Sequence, residues 1–319
     1  MLLFLIILLI IIIIIIIIIK RNNDNNKKTL VIVLGETRAH ELTFNSFKMN
    51  VIDVLNADLC LCIGVKKDYD YSNPFYRLAK YKFLYNEPED YSISFDYATE
   101  IIMKDNDNNN NHLNWREFLK LNGHILGGIK DNHNEHPGSA GIVIYLRWLL
   151  LKNLIENNLI NKYDRFIITR SDFIYQINHP DVLKMNGNYI WIPDGEDYGG
   201  YTDRHVILSQ KTIEPYLNIL TNMIINSNDY YNKMVELNIN DWNIEKLIKF
   251  NLKYNNVNHL VRFMPYIMYS VRNINGTTSW SEGIYSKTHN YYIKYMSEYE
   301  KSTEYRNKYT KDFYNNLYQ

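Results

Sequence analysis

The sequence predicts an α/β fold with a mixed, mostly parallel sheet flanked by helices. Short, nearly continuous apolar runs at residues 30–34, 57–64 and 166–168 are typical of strands buried on both faces. The chain opens as strand, helix, strand, and a long helix precedes the third of these runs. With 319 residues and 46% hydrophobic content, it is long enough for one large domain with its own core.

The N-terminal segment has the composition of a membrane anchor. Residues 1–19 carry no charge, glycine or proline, and as a helix they would span about 28 Å, close to the hydrocarbon thickness of a bilayer. We therefore predict a transmembrane helix over 1–19 and a polar tether over 20–28. Basic residues follow this helix and none precedes it, so the positive-inside rule predicts a single-pass membrane protein whose body faces the cytoplasm.

Composition restricts the compartment and the partners. The 35 basic and 35 acidic residues cancel, which argues against a general nucleic-acid binder. Cys60 and Cys62 are two residues apart on a predicted strand, a spacing that does not suit a mutual disulfide and that fits a reducing compartment. The sequon at Asn275 would need the lumenal side of a membrane, and we interpret it as a chance match.

The predicted body, residues 29–290, contains strands and helices in a regular order. They are strand 30–34, helix 44–55, strand 57–64, helix 138–160 with Ser139 as N-cap, strands 166–168, 188–193 and 205–209, helices 211–226 and 241–253, and β-rich segments 258–264 and 266–272. Residues 66–135 are rich in Tyr, Asn and Asp and are predicted to be irregular, with a low-complexity loop at 106–111. Residues 291–319 are predicted to be a charged, Tyr-rich C-terminal tail that forms a peripheral helix.

Two predicted strands end in charged residues. Glu36 and Arg38 follow the predicted strand 30–34, and Arg170 and Asp172 follow the predicted strand 166–168. Ligands of open α/β sheets bind at the carboxyl ends of the strands. In extended chain Arg170 and Asp172 point to the same side, where an exposed carboxylate can hold a divalent cation and a guanidinium can pair with a diphosphate. The alternative is an Arg–Asp surface pair without a ligand, because charged residues after strands are common.

The order of these segments resembles that of glycosyltransferases of the GT-A fold. The resemblance rests on the helix containing Arg147, then YDRFIITRSDFIY, IWIP and GEDYGGYTDRHVILS, and it extends loosely over residues 29–275. More narrowly, the chain resembles glycosyltransferase-like proteins of large DNA viruses. GT-A enzymes have a Rossmann-like sheet and an Asp-any-Asp motif that binds a divalent metal ion with the diphosphate of a nucleotide sugar. Here Arg170 stands at the first position of that motif and Asp172 matches the second.

The resemblance implies a donor site at the ends of these strands. The residues that it assigns to the nucleotide and its diphosphate are Gly35, Glu36, Arg38, Arg147, Arg170 and Asp172. Asp172 would also be the ligand of a divalent metal cofactor, Mn²⁺ or Mg²⁺. The alternatives are a solvated loop arginine at Arg38 and, at Arg147, an arginine that snorkels from an amphipathic helix.

The loop DGEDYGGYTDR, at 194–204, is the predicted acceptor side. Glycines allow a sugar to approach the backbone and carboxylates bind sugar hydroxyls, so the predicted acceptor-binding residues are Asp194, Glu196, Asp197, Gly199 and Gly200. An inverting transfer needs a carboxylate as general base, and Asp203 and Glu245 are the two candidates. The alternatives are an acidic hairpin turn without a ligand and a Glu245 that only interacts with the dipole of its helix.

Together these features predict a membrane-anchored glycosyltransferase. It would move a sugar from a nucleotide-diphosphate donor to a hydroxyl of a glycan, a lipid-linked sugar or a protein, with no nucleic-acid partner. The alternative is a catalytically inactive, membrane-tethered glycan- or nucleotide-binding protein of the same fold. Arg170 in place of a metal-ligating Asp favours this alternative, and the carboxylate-rich loop with paired glycines favours the enzyme.

Overall fold

The computed structural model describes residues 28–104, 112–131, 134–275 and 283–319. The predicted membrane helix over 1–19, nearly all of the tether and the low-complexity loop at 106–111 lie outside these residues. Among the helices of the described ranges, none is both long enough and apolar enough to cross a bilayer.

The strands form a mixed, mostly parallel central sheet and a smaller second sheet. In the described ranges they are β1 (Thr29–Gly35), β2 (Asp58–Val65), β3 (Tyr81–Asn86), β4 (Lys130–Asp131), β5 (Asn134–Glu135), β6 (Arg165–Thr169), β7 (Phe173–Tyr175), β8 (Ile190–Pro193), β9 (Val206–Ser209), β10 (Val261–Met264), β11 (Met268–Arg272), β12 (Ile284–Ser286) and β13 (Tyr291–Ile293). The central sheet has the order β10-β8-β9-β6-β1-β2-β3, and the second sheet has the order β12-β13-β11-β7. Only β9 runs antiparallel to its neighbours in the seven-stranded sheet.

Helices cover the sheet. Those of the described ranges are α1 (His40–Phe47), α2 (Pro74–Leu78), α3 (Ser92–Lys104), α4 (Ala140–Glu156), α5 (Leu159–Lys162), α6 (Ile213–Leu217), α7 (Ile219–Ile225), α8 (Ser227–Glu236), α9 (Ile244–Tyr254) and α10 (Met296–Lys308). Helix α1 continues as a π-helical segment, Lys48–Asp53. Short 3₁₀ segments occur at Trp115–Lys120, Asn258–Leu260 and Asn315–Leu317.

The two-residue period of the strands divides their apolar side chains between two cores. Along β1, Leu30 and Ile32 pack in one core with residues of α4, whereas Val31 and Val33 pack in the other with Phe47 of α1. Burial on both faces is why these strands have nearly continuous apolar sequences. The predicted α/β fold with a mostly parallel sheet between helices is therefore confirmed.

The order of the strands reverses between β1 and β6. The chain moves outward from β1 through β2 to β3, and it then crosses back to place β6 on the opposite side of β1. Both strands pair in parallel with β1, so the loops that follow β1 and β6 leave the same edge of the sheet in different directions. Such a reversal opens a crevice at the carboxyl ends of the strands, which is where open α/β sheets bind ligands.

Two segments differ from the sequence-based expectations. The prediction of an irregular chain over 66–135 is wrong, because it contains α2, α3 and β3, the last of which pairs in parallel with β2. Strand β3 lies at the sheet edge and its Tyr-rich side chains are mostly half-buried, so it lacks an apolar run. The segment predicted as a tail with a peripheral helix, 291–319, does contain a helix, α10, but it also contains β13, and Glu298 of α10 is almost fully buried.

Candidate functional site

A cleft of about 1030 Å³ lies at the carboxyl ends of β1 and β6, where the strand order reverses. Its walls come from the loops after these two strands, the first turns of α4 and α9, the loop before β9, and the residues that follow β11 and β13. The size and the position are those of a small-molecule site. The sequence-predicted strand ends at Glu36–Arg38 and Arg170–Asp172 both line this cleft.

Ser171 ties the two loops together across the reversal point. Its hydroxyl donates to the carbonyl of Glu36 at 2.7 Å and lies 3.2 Å from the carbonyl of Arg38. In return, the carbonyl of Ser171 accepts a hydrogen bond from the hydroxyl of Thr43 in α1, at 2.6 Å. Gly35 turns the chain out of β1 with a φ of 113°, in the region that favours glycine. These bonds fix the position of Arg38 relative to Arg170 and Asp172.

The cleft is lined by a cationic cluster, formed by Arg38, Arg170, Arg272 and Lys294 around Asp172. Asp172 is only 1% exposed, contrary to the expectation of an exposed carboxylate. The Nε and Nη2 of Arg170 donate to its two oxygens, both at 2.9 Å, and Nη1 of Arg272 donates to Oδ2. Burial opposes ionisation of Asp172, but Arg170, Arg272 and Arg38 outweigh it and hold the pKa of this carboxyl well below its usual range.

The other members of the cluster carry more positive charge than Asp172 neutralises. Burial, together with Arg272 and Arg170, lowers the pKa of Lys294 to about 7. Arg272 is 2% exposed, and its Nε and Nη2 have no hydrogen-bond partner among the described residues. Buried charged donors without partners are costly, so an anion in this part of the cleft would stabilise them.

The geometry does not fit the role of metal ligand predicted for Asp172. A divalent cation such as Mg²⁺ needs carboxylate or carbonyl oxygens with free lone pairs and little competing positive charge. Here both oxygens accept hydrogen bonds from guanidinium groups. The described ranges also contain no group of three or more His, Cys, Asp or Glu side chains that could hold a metal ion.

The cleft is also lined by a carboxylate pair, Asp203 and Glu245. Glu245 opens α9 and is 7% exposed, whereas the side chain of Asp203 is 14% exposed. Burial, and next the negative charge of Asp203, raises the pKa of Glu245 to about 8. Glu245 therefore carries a proton at neutral pH and is a hydrogen-bond donor there.

Arg147 lies behind the carboxylate pair and does not line the cleft. It is fully buried, its Nη2 donates to the carbonyl of Asp203 at 3.3 Å, and its guanidinium packs on the ring of Tyr216 at 4.9 Å. The snorkelling alternative is therefore wrong, because this arginine does not reach solvent. Arg147 supports the segment that carries Asp203 and lowers the pKa of Glu245 to a lesser degree than burial raises it.

The five predicted acceptor residues do not contribute to the cleft wall. These residues are Asp194, Glu196, Asp197, Gly199 and Gly200, whereas Tyr198, Asp203 and Arg204 of the same loop do line it. Glu196 accepts hydrogen bonds from Tyr198 at 2.5 Å and from Arg204 at 3.2 Å. A Cβ at Gly200 would lie 2.0 Å from the backbone of Glu245, so the absence of a side chain lets the loop pack against the start of α9. Their acceptor role stays a prediction.

Sequence reasoning missed several residues of the site, above all Arg272 and Lys294. Arg272 ends an apolar strand, the same pattern that drew attention to Arg170, and this signal could have identified it. Lys294 follows β13 in the segment predicted as a tail. Arg204 packs on the ring of Tyr295 at 4.2 Å and donates to Glu298 of α10 at 2.5 Å, so this C-terminal segment is part of the site.

Comparison with known proteins gives likenesses in structure only. No protein-family model and no curated protein matches the chain. The chain is similar in structure to mouse xyloside xylosyltransferase 1 in its apo form, with 10% sequence identity over 75% of this chain and 85% of that chain and a TM-score of 0.37. A likeness of this size says nothing about the substrate of the present protein.

Proposed function

We propose that the protein is a glycosyltransferase that moves a sugar from a nucleoside-diphosphate donor to a hydroxyl acceptor in this cleft. The observation that carries the proposal is that one cleft contains both the cationic cluster and the carboxylate pair. A transfer of this kind needs an anion-stabilising group on the leaving side and a proton acceptor on the attacking side.

The leaving side is the cationic cluster. Guanidinium groups match the oxygens of phosphates in charge and geometry, and Arg38 and Arg272 both line the cleft. In the proposed reaction, the bond between the anomeric carbon and the diphosphate oxygen breaks, and the oxygen keeps the electron pair. The cluster stabilises the negative charge that develops on this oxygen.

The attacking side is Asp203. The acceptor hydroxyl forms a bond to the anomeric carbon while its proton passes to the carboxylate of Asp203, which corresponds to an inverting transfer. Glu245 is protonated at neutral pH because its pKa is raised to about 8 by burial and by Asp203, so it donates a hydrogen bond to the acceptor instead of removing a proton. The proposal therefore keeps Asp203 as the general base.

Membrane attachment and the acceptor are further proposals. The hydrophobic stretch at 1–19 supports a membrane anchor, and the basic residues after it support a body on the cytoplasmic side. The acceptor is a hydroxyl of a glycan, a lipid-linked sugar or a protein. Protease treatment of sealed membranes tests the orientation: digestion of the body is expected, and full protection or glycosylation at Asn275 would contradict it.

The second candidate is a binding protein that retains the site without catalysis. The observation that favours it is the pairing of Asp172 with Arg170 and Arg272, which removes the carboxylate that a metal-dependent transferase would use. Such a protein would bind a nucleoside diphosphate and release no product from it.

A donor screen with the full-length chain in detergent separates the two functions. Nucleotide sugars of uridine, guanosine, cytidine and thymidine are supplied with water alone or with simple sugars as acceptors. Release of nucleoside monophosphate or diphosphate is measured. The transferase predicts turnover with one donor class and its loss in Asp203→Asn. Binding of the same nucleotides without release from any donor would favour the binding protein.

A further inference from the structure

We propose that the cationic cluster binds the diphosphate group directly, so that Arg170, Arg272 and Lys294 do the work of a divalent metal ion. This inference rests on the proposed function for the identity of the ligand. It concerns how the anion is bound, and it assigns no role to the predicted Mn²⁺ or Mg²⁺.

The strongest observation is the hydrogen-bonding state of Arg272. Its Nη1 donates to Asp172 and to the carbonyl of Val271, whereas Nε and Nη2 are buried without a partner among the described residues. The side chain is 2% exposed and lines the cleft. Buried guanidinium donors are nearly always satisfied in proteins, and Arg147, outside the cleft, also has two donors without a partner in the described part of the chain. Because Arg272 lines the cleft, its own two unpaired donors favour an acceptor group bound there.

The second observation is the excess of positive charge. Arg170, Arg272, Lys294 and Arg38 all interact electrostatically with Asp172. Two of them have a further carboxylate: Arg38 lies 3.4 Å from Glu36, and Arg170 also interacts with Asp203. One buried carboxylate does not neutralise this set. A diphosphate brings negative charge and several acceptor oxygens, which is what the cluster lacks.

Asp172 then has a different role from that of a metal ligand. Its oxygens hold Arg170 through two bonds and Arg272 through a third, so both guanidinium groups are fixed before the ligand arrives. Asp172 is thus a positioning residue. Because a metal ion at the same carboxylate would compete with both arginines, the two modes of binding exclude each other.

Lys294 lies next to the same groups. Arg272, Arg170 and Arg204 lower its pKa and Asp172 raises it, while burial makes the largest contribution and also lowers it. A diphosphate beside Lys294 would favour the protonated form, so binding adds a cation to the cluster. This coupling favours polyanions, because a neutral ligand would leave Lys294 only partly protonated at neutral pH.

The test is calorimetric titration of the full-length chain with inorganic pyrophosphate and, separately, with uridine diphosphate. Each titration is made in EDTA and again in excess Mn²⁺, with the free ligand concentration corrected for complexes with Mn²⁺. We expect pyrophosphate to bind in EDTA with an affinity that Mn²⁺ does not improve. Binding that appears only when Mn²⁺ is present would overturn the inference.

Variants locate the binding. Arg272→Gln removes the charge while keeping hydrogen-bonding atoms, and loss of a charged hydrogen bond predicts an affinity for pyrophosphate about 10- to 100-fold lower. Lys294→Met is the second variant, in case Arg272→Gln does not fold. Arg262→Gln is the matched control, because Arg262 is exposed, packs on Tyr189 and does not line the cleft. Equal affinity in all four proteins would contradict the inference.

Asp172→Asn separates positioning from metal binding. A positioning role predicts weaker pyrophosphate binding by the same factor with and without Mn²⁺, whereas a metal ligand predicts a loss only with Mn²⁺. The failure of the inference also differs from that of the proposed function. Sugar transfer that requires a metal ion would support the transferase function and contradict metal-free binding of the diphosphate. Tight binding in EDTA without transfer from any donor would support metal-free binding and contradict the transferase function.

Discussion

The cationic cluster and the carboxylate pair bury carboxyl groups under opposite electrostatic conditions. At the cationic cluster, Asp172 is almost fully buried, yet two arginines hold its pKa well below its usual range. At the carboxylate pair, Glu245 is buried to a similar extent beside another acid, and its pKa rises to about 8. Burial alone would raise the pKa of both groups, so the charged neighbours decide which carboxyl is ionised. One cleft thereby contains an ionised carboxylate, Asp172, and a protonated carboxyl group, Glu245, and a pair of carboxyl groups kept in different states is typical of acid–base sites.

The largest expected effect is at Asp203. Replacing it with Asn removes the proposed general base while keeping its shape, so the turnover number should fall by about 10²–10⁴-fold with donor binding unchanged. Glu245→Gln is the matched variant, because Gln resembles the protonated acid, and its effect should stay below about tenfold. Steady-state transfer assays measure both. A small effect of Asp203→Asn combined with inactivity of Glu245→Gln would reverse the two roles.

The next effect is on stability, at Asp172. Its removal leaves two guanidinium groups without their carboxylate, so Asp172→Ala should lower the free energy of unfolding by about 3–5 kcal/mol. The control is Asp194→Ala, which breaks an exposed pair with Lys301 and should cost at most about 1 kcal/mol. Urea unfolding of the full-length chain in detergent measures both. Equal stability of the two variants would show that Asp172 behaves as a surface charge.

The carboxylate pair should make the free energy of unfolding fall as pH rises. The pKa of Glu245 is raised from 4.5 to about 8, so between these values the folded state binds a proton that the unfolded state has lost. The contribution of this proton to the free energy of unfolding is complete below pH 4.5. It is lost as pH rises toward 8, by at most about 1.4 kcal/mol per pH unit. The free energy of unfolding, measured at pH 5, 6.5 and 8, should therefore fall less in Glu245→Gln than in the wild type. The same slope in both proteins would contradict the assigned protonation.

The smallest expected effect is the pH dependence of anion binding. Since the pKa of Lys294 is lowered to about 7, the wild-type chain should bind pyrophosphate more weakly above that pH, by at most about tenfold per pH unit. The Lys294→Arg variant keeps its charge in this range, so its affinity for pyrophosphate should change less than that of the wild type between pH 7 and 9. Any slope that remains reflects ionisation of Glu245 in the same cleft and of pyrophosphate itself, which is common to both proteins. Parallel profiles for the two proteins would exclude Lys294 as the source.

The sequence was most informative where strands are buried on both faces. The apolar runs of β1, β2 and β6 predicted the centre of the sheet, and the charges after β1 and β6 predicted one edge of the cleft. Strand β3 was missed because a half-buried edge strand has no such run. Periodicity reports local structure only, and it carries no information on which distant segments meet.

The remainder of the site depends on contacts between distant segments. Arg272 lies 100 positions after Asp172 in the chain, and it meets that carboxylate because β11 pairs with β7. Lys294 arrives through β13, the other neighbour of β11. Their charges are what changes the interpretation of Asp172 from a metal ligand to the partner of two arginines. The Asp203–Glu245 pair was predicted as two alternatives, and the structure brings both residues to the cleft wall.

The most direct test of the account is transfer measured without a metal ion. The full-length chain, in EDTA, is supplied with the donor sugars and acceptors of the screen, and release of nucleoside diphosphate is compared between wild type, Arg272→Gln and Asp203→Asn. The account predicts that the wild type releases nucleoside diphosphate in EDTA. Arg272→Gln should release less because it binds the donor more weakly, and Asp203→Asn should release less because its turnover number is lower. Turnover that requires Mn²⁺, or that persists unchanged in both variants, would contradict it.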